Sequence, residues 1–247
     1  MPAIELDKLT WTEIKDELEE GRDTVVIALG ATEQHGPHMA LATDALIGDH
    51  LARLVADELD AFVAPTVRFG CSSHHLAFGG TISLADETFH AIVRDVVSSL
   101  AQGGFRRVVL LPTHGGNFAP LAAAIEKLGA DPGIEVVAMT DVTALLELAK
   151  LGAEEHGVPI GDGGLHAGEW ETSMMLAIHP ELVHAERAEP GYTGDPMEAL
   201  AGLFEAGVAS VAANGVIGDP VPATAEHGQR YWDKALEATM DQVRGER

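Results

Sequence analysis

Two apolar runs narrow the fold more than any other feature. They are TVVIAL at residues 24 to 29 and RVVLL at 107 to 111, each followed at once by a polar loop carrying histidine and glycine. Short aliphatic runs bounded by turn residues read as buried strands. Between and after them lie longer amphipathic stretches. Asp44 precedes ALIGDHLARLVADEL, where Leu46, Ile47, His50, Leu51, Leu54 and Val55 recur at helical spacing. Asp86 is placed to cap a helix over 87–102 that ends at Gly103-Gly104. Asn117 opens the next helix, FAPLAAAIEKLG, and further helices are expected over 168–178 and 229–243. Residues 61–64 and 134–139 read as two more strands. Strands alternating with helices predict an α/β domain whose mainly parallel sheet is covered on both faces. In such sheets ligands bind beyond the carboxyl ends of the strands.

The chain has 247 residues, room for one large domain or two small ones, and no linker-like segment divides it. Its formal charge of −24 argues against nucleic acid and anionic membrane as partners. Few lysines beside abundant acidic residues suit a surface adapted to high salt, and acidic drift in a mesophile is the alternative. The apolar runs are too short to cross a bilayer, and the acidic N-terminus lacks a secretory layout. The single cysteine, Cys71, excludes an internal disulfide and fits a reducing compartment, so a cytoplasmic protein is expected. Neither a Walker A sequence nor a dinucleotide fingerprint is present.

Three segments concentrate titratable side chains. ATEQHGPHMALATD, residues 31 to 44, holds Glu33, His35, His38 and Asp44 around a Gly36-Pro37 turn that can bring Glu33 and His35 to face one point. Asp44 is either a plain N-cap or a carboxylate whose two oxygens bridge two metals. PTHGGN places His114 at the end of a strand, beside two glycines that permit close backbone approach. HAGEWETSMML, from 166 to 176, brings His166, Glu169 and Glu171, which are either a charged first helical turn or part of a site. Histidines and carboxylates meeting from separate segments suit a metal that activates water for hydrolysis. Cys71 reads as a buried thiol rather than a nucleophile, and Ser72, Ser73, His74 and His75 as polar pocket lining. His156, His179, His184 and His227 have no partners in spacing and are expected on the surface or in loops.

Taken in order, GATEQHGPHMALATD, FGGTISL, LPTHGGN and HAGEWETS resemble the creatininase (creatinine amidohydrolase) family, from about residue 10 to about residue 240. The resemblance implies a single three-layer α/β/α domain over residues 1–247, homo-oligomeric assembly (a hexamer among the options) and a pair of divalent ions, zinc, manganese or iron. It implies hydrolysis of an amide carbon–nitrogen bond other than a peptide bond in a small-molecule substrate. Position by position it implies Glu33 and His114 on one metal, His35 on the other, and Asp44 as the bridge. His166 matches the catalytic histidine that shuttles a proton, and Glu171 a carboxylate at the site. The stretch Ser72, Ser73 and His75, together with Gly115, aligns near the substrate.

The chain departs from family members that open creatinine, which carry Tyr-Glu where Gly115 and Gly116 stand here. Their Glu holds the second metal, so Glu169, Glu171 or water must complete that shell. The tryptophans around the creatinine ring are also missing, with Asp162 at one such position. The Gly-Gly form resembles two other branches. One is the formamide hydrolase acting on a formylamino-pyrimidine ribosyl phosphate in flavin and deazaflavin biosynthesis; the other is the peptidase of mycofactocin maturation. Arg68, Arg106 and Arg107 are the cations available to a substrate phosphate. Two rivals stay open on the missing ligand, a metal- or ligand-binding protein without turnover and a hydrolase with one ion.

Overall fold

The structure, a computed structural model, describes residues 3–130, 132–141 and 144–245. Five strands appear among them: β1 (Ile4–Glu5), β2 (Thr24–Leu29), β3 (Phe62–Val63), β4 (Arg107–Pro112) and β5 (Glu135–Ala138). They form one sheet in the order β1-β3-β2-β4-β5, with every pairing parallel. The longest register runs from Thr24 opposite Arg107 to Leu29 opposite Pro112.

Strand β2 shows why its sequence is apolar without alternation. Val26 and Ala28 point into one core and Val25, Ile27 and Leu29 into the other. Successive side chains leave opposite faces, so a strand covered on both sides needs apolar residues at every position. One face carries α2 (Thr43–Leu59), α7 (Glu169–Ile178) and α10 (Ala225–Arg244). The other carries α1 (Trp11–Glu19), α3 (Asp86–Gln102) and α4 (Phe118–Leu128). The result is the α/β/α sandwich expected. Smaller helices complete the chain: α5 (Ala144–Leu151), α6 (Ile160–Gly163), α8 (Pro196–Ala206) and α9 (Val208–Val211). Ala199, Leu203, Val208, Ala212 and Ile217 form a separate apolar cluster, and the sequence reading assigned no element there.

Two helix starts differ from expectation. Helix α2 begins at Thr43 with Ala42 as its cap, so Asp44 lies inside the first turn and caps nothing. Helix α3 begins at Asp86 itself, with Ala85 as a cap that makes no side-chain bond. Asn117 does precede α4, but its side chain does not cap the helix. Its amide nitrogen donates to the Leu29 and Gly30 carbonyls, and its oxygen accepts from the Cys71 N–H. It ties together the three loops beyond the strand ends. The chain leaves β2 toward β3 on one side and reaches β4 on the other, so the carboxyl ends of β2 and β4 form a switch point, the place where open α/β sheets hold ligands.

Candidate metal centre

The loop after β2 and the loop after β4 converge with the first turns of α2 and α7. Gly36, at φ +62°, makes the bend that the Gly36-Pro37 pair suggested. Glu33, His35, Asp44, His114, His166 and Glu171 are all buried. His35 donates from Nδ1 to the Glu33 carbonyl at 3.1 Å. That commits the outer nitrogen and turns Nε2 to the site, 3.2 Å from Asp44 Oδ1 and 3.5 Å from Glu171 Oε1. His114 has the mirror arrangement. Its Nε2 donates to the Cys71 carbonyl at 3.2 Å, and its Nδ1 lies 3.2 Å from Glu33 Oε1 and 3.3 Å from Asp44 Oδ2. Each imidazole thus has its outer nitrogen committed to a backbone carbonyl, the usual support for a metal-binding histidine.

Asp44 sits between them, one oxygen toward each histidine. From inside a helical turn it has no capping duty, so the plain N-cap reading does not hold. Glu171 stands beside His35: Oε2 accepts from the Ala167 N–H at 2.6 Å, leaving Oε1 for the site. Ala167 holds φ +54°, an unfavourable value for a residue with a side chain, and this backbone turn joins His166 to Glu171.

The donor set fits divalent ions on an observation independent of resemblance. Glu33 Oε1 and Oε2, His35 Nε2 and Asp44 Oδ2 are buried with no hydrogen-bond partner. Each such orphan costs about 1–3 kcal/mol unless something occupies it. Two sets, Glu33–His35–Asp44 and His35–His166–Glu171, each bring their ligand atoms within 4.8 Å of one another. The electrostatics agree. Burial pulls His114 down, but Glu33 and Asp44 outweigh it and push it up to about 10. Burial likewise works against His35, yet Asp44 and Glu171 hold it well above its ordinary value. Burial would raise Asp44, but His35 and His114 keep it below the usual carboxylate range. A cation bound there would take the place of these protons.

Other expected residues fall around this centre. Ser72 is buried with Oγ 3.3 Å from His114 Nε2, so it supports that ring, whereas Ser73 is exposed. His75 is buried with Nε2 3.3 Å from Glu33 Oε1. His38 pairs with Thr172 of α7 at 3.0 Å, and burial followed by His35 lowers it to about 4. A Cβ at Gly115 would meet nothing within 4 Å, whereas one at Gly116 would lie 2.3 Å from the Cys71 carbonyl and 2.4 Å from His114 Nε2.

Glu169 does not join the metal cluster. It accepts from Ser173 Oγ and His227 Nδ1, each at 2.8 Å, and from the Tyr231 hydroxyl at 2.5 Å. His227, expected on the surface without a partner, is therefore bound to a buried carboxylate, and His156 stacks on it with ring centroids 3.8 Å apart. These contacts join residues too far apart in sequence for spacing to show them. Gln34 lies inside the first motif as well, with no spacing signal of its own to mark it.

A family model described as creatinine amidohydrolase (creatininase) matches residues 7–243. The chain belongs to the creatininase family. Among its relatives is a mycofactocin precursor peptide peptidase from Mycobacterium ulcerans, 33% identical over 229 residues, with 89% of this chain and 84% of the relative covered. Another is the creatinine amidohydrolase of Pseudomonas putida, 27% identical and covering 99% of this chain and 97% of the relative. A solved creatininase superposes with a TM-score of 0.81 at 27% identity, covering 99% of this chain and 98% of that one. A zinc–zinc form of a creatininase variant gives 0.81 at 26% identity over 100% and 99% of the two chains. This member of the creatininase family is an amidohydrolase, in a family whose named reaction opens a non-peptide carbon–nitrogen bond, and its clustered histidines and carboxylates can bind metal. No helix among its described residues is long and apolar enough to cross a membrane.

Proposed function

We propose that the chain hydrolyses an acyclic amide, of the formamide type, on two divalent ions (zinc, manganese or iron). Glu33 and His114 hold one ion, His35 and Glu171 the other, and Asp44 bridges them. The observation that carries this reading is Asp44, whose two oxygens face two histidines already oriented by backbone carbonyls. When bound, the ions acidify water and polarise the amide carbonyl. Glu171 fills the place of the ligand that Gly116 cannot supply, since no side chain fits there.

His166 handles the proton. Its Nε2–H donates to the Gln34 carbonyl at 2.8 Å, which leaves Nδ1 bare and 3.8 Å from Glu33 Oε1. Burial, then His35, holds it below its ordinary value, so Nδ1 is unprotonated at neutral pH. From there it takes a proton from the attacking water and passes it to the departing nitrogen. The open space at Gly115 gives one arm of the substrate room, which a compact creatinine ring does not need.

The phosphate of a pyrimidine ribosyl substrate finds less support. Arg106 and Arg107 lie at the start of β4, the end of the sheet away from the site, paired with Asp23 and Glu135. Arg68 is engaged by Asp49. The substrate proposed is therefore a formamide without that phosphate. A peptidase is the second reading, favoured by the 33% identity to the mycofactocin precursor peptidase. We place the enzyme in the cytoplasm as a homo-oligomer, in which exposed Trp11, Phe69 and Leu76 would be covered.

The test is product release from N-formyl aminopyrimidines, creatinine and short peptides by protein loaded with zinc, manganese or iron. Formate release sustains the reading, and cleavage of peptides alone replaces it with the second. No turnover on any of them, with metal bound, would favour a binding protein.

A further inference from the structure

The side-chain amide of Gln34 lies between the metal cluster and two flanking histidines, and two backbone groups settle its orientation. Oε1 accepts from the Gly36 N–H at 2.9 Å, and Nε2 donates to the Gly215 carbonyl at 3.1 Å. Turning the amide over would set donor against donor at Gly36 and acceptor against acceptor at Gly215. Gly215 must be glycine for this approach, because a Cβ there would lie 2.0 Å from Oε1.

Nε2 of Gln34 has two hydrogens and three nitrogen or oxygen atoms within reach. One is the Gly215 carbonyl, and the others are His75 Nδ1 at 2.9 Å and His166 Nε2 at 3.0 Å. His166 Nε2 cannot accept, because its 2.8 Å contact with the Gln34 carbonyl requires a proton on that nitrogen. The second hydrogen therefore goes to His75 Nδ1. A neutral imidazole that accepts at Nδ1 carries its proton on Nε2. Nε2 is the atom of His75 that faces Glu33 Oε1, at 3.3 Å.

By distance alone Glu33, His75 and His166 qualify as a third metal-binding set, with ligand atoms within 4.8 Å of one another. The tautomers say otherwise. We infer that Gln34 is a positioning residue that locks His75 with its proton on Nε2, the nitrogen toward Glu33, and so keeps it from binding metal. Behind His35 and His114 a carbonyl holds the outer proton, so the nitrogen toward the site can give up its own to an ion, whereas behind His75 an amide N–H holds the outer lone pair and keeps the proton on the nitrogen toward the site. The partner behind each ring decides its role. The inference rests on the metal reading of Glu33, whose Oε1 accepts no hydrogen bond in the structure and lies 3.3 Å from His75 Nε2.

The tautomers are read directly by two-bond nitrogen–proton NMR on the full chain labelled with ¹⁵N-histidine, metal-free and zinc-loaded. His75 is expected as the Nε2–H tautomer in both states, with no zinc-bound nitrogen signature. An Nδ1–H tautomer, or a zinc-bound His75, overturns the inference. Gln34→Glu places an acceptor behind the ring and should move His75 toward Nδ1–H; an unmoved tautomer in a folded variant refutes Gln34 as its cause. Should wild-type protein bind no zinc, the metal reading fails, while the metal-free spectrum still decides the tautomer.

Discussion

Glu169 and Glu171 are two residues apart on one helix, both buried, and the structure gives them opposite duties. Replacing each with glutamine separates them. Glu169 accepts three hydrogen bonds, from Ser173, His227 and Tyr231. Bonds to a charged acceptor contribute about 1.5–3 kcal/mol against about 0.5–1.5 for neutral ones, so losing the charge costs about 1 kcal/mol per bond. Three bonds give about 3 kcal/mol for Glu169→Gln. In a chain of this size that lowers Tm by about 6–12 °C. Metal content and kcat, measured at a temperature where the variant is folded, should stay near wild type. Glu171→Gln keeps the Ala167 N–H bond if the amide oxygen takes Oε2's place, so metal-free stability should change by under about 1 kcal/mol while turnover falls at least a hundredfold. The assays are thermal melts of metal-free protein, elemental analysis and initial rates. Loss of metal in Glu169→Gln with an unchanged melt would refute the division.

Three further outcomes are expected. In metal-free protein His114 is raised to about 10, so the stability it lends is whole below its ordinary value of 6.5 and is lost as pH climbs through about 10. Denaturant titrations should show that decline across pH 6.5–10, and zinc-loaded protein should not share it, because the ion replaces the proton. Gly116→Ala forces Cβ onto the Cys71 carbonyl and His114, with a loss of about 1–3 kcal/mol and weaker metal binding, while Gly115→Ala should leave both unchanged by melt and metal titration. Ala167→Val puts a β-branched residue at positive φ on the turn joining His166 to Glu171, and should cost at least about 1 kcal/mol with a lower kcat.

Much of this centre was legible in the sequence because its residues cluster in short motifs at strand ends. The continuous apolar run of β2 and its following loop fixed the fold class and placed Glu33 and His35 near a turn. What spacing could not show were contacts between distant segments. Glu169 and His227 meet only because α7 and α10 pack together, so Glu169 read equally well as a ligand. Asp44 read as either a cap or a metal bridge, because aspartate before an apolar periodic stretch is often a cap; the helix starts two residues earlier and frees it. Gln34 stood within the first motif, but its meaning lies in Gly215 and His75, which the fold brings to it.

The central claim is a pair of ions bridged by Asp44. Metal per chain, measured by elemental analysis on freshly purified wild-type protein and on Asp44→Ala, tests it most directly. Two ions in the wild type, with loss of at least one in the variant, is the result expected. One ion in the wild type that survives removal of Asp44 would contradict the bridge, and with it the mechanism built on it.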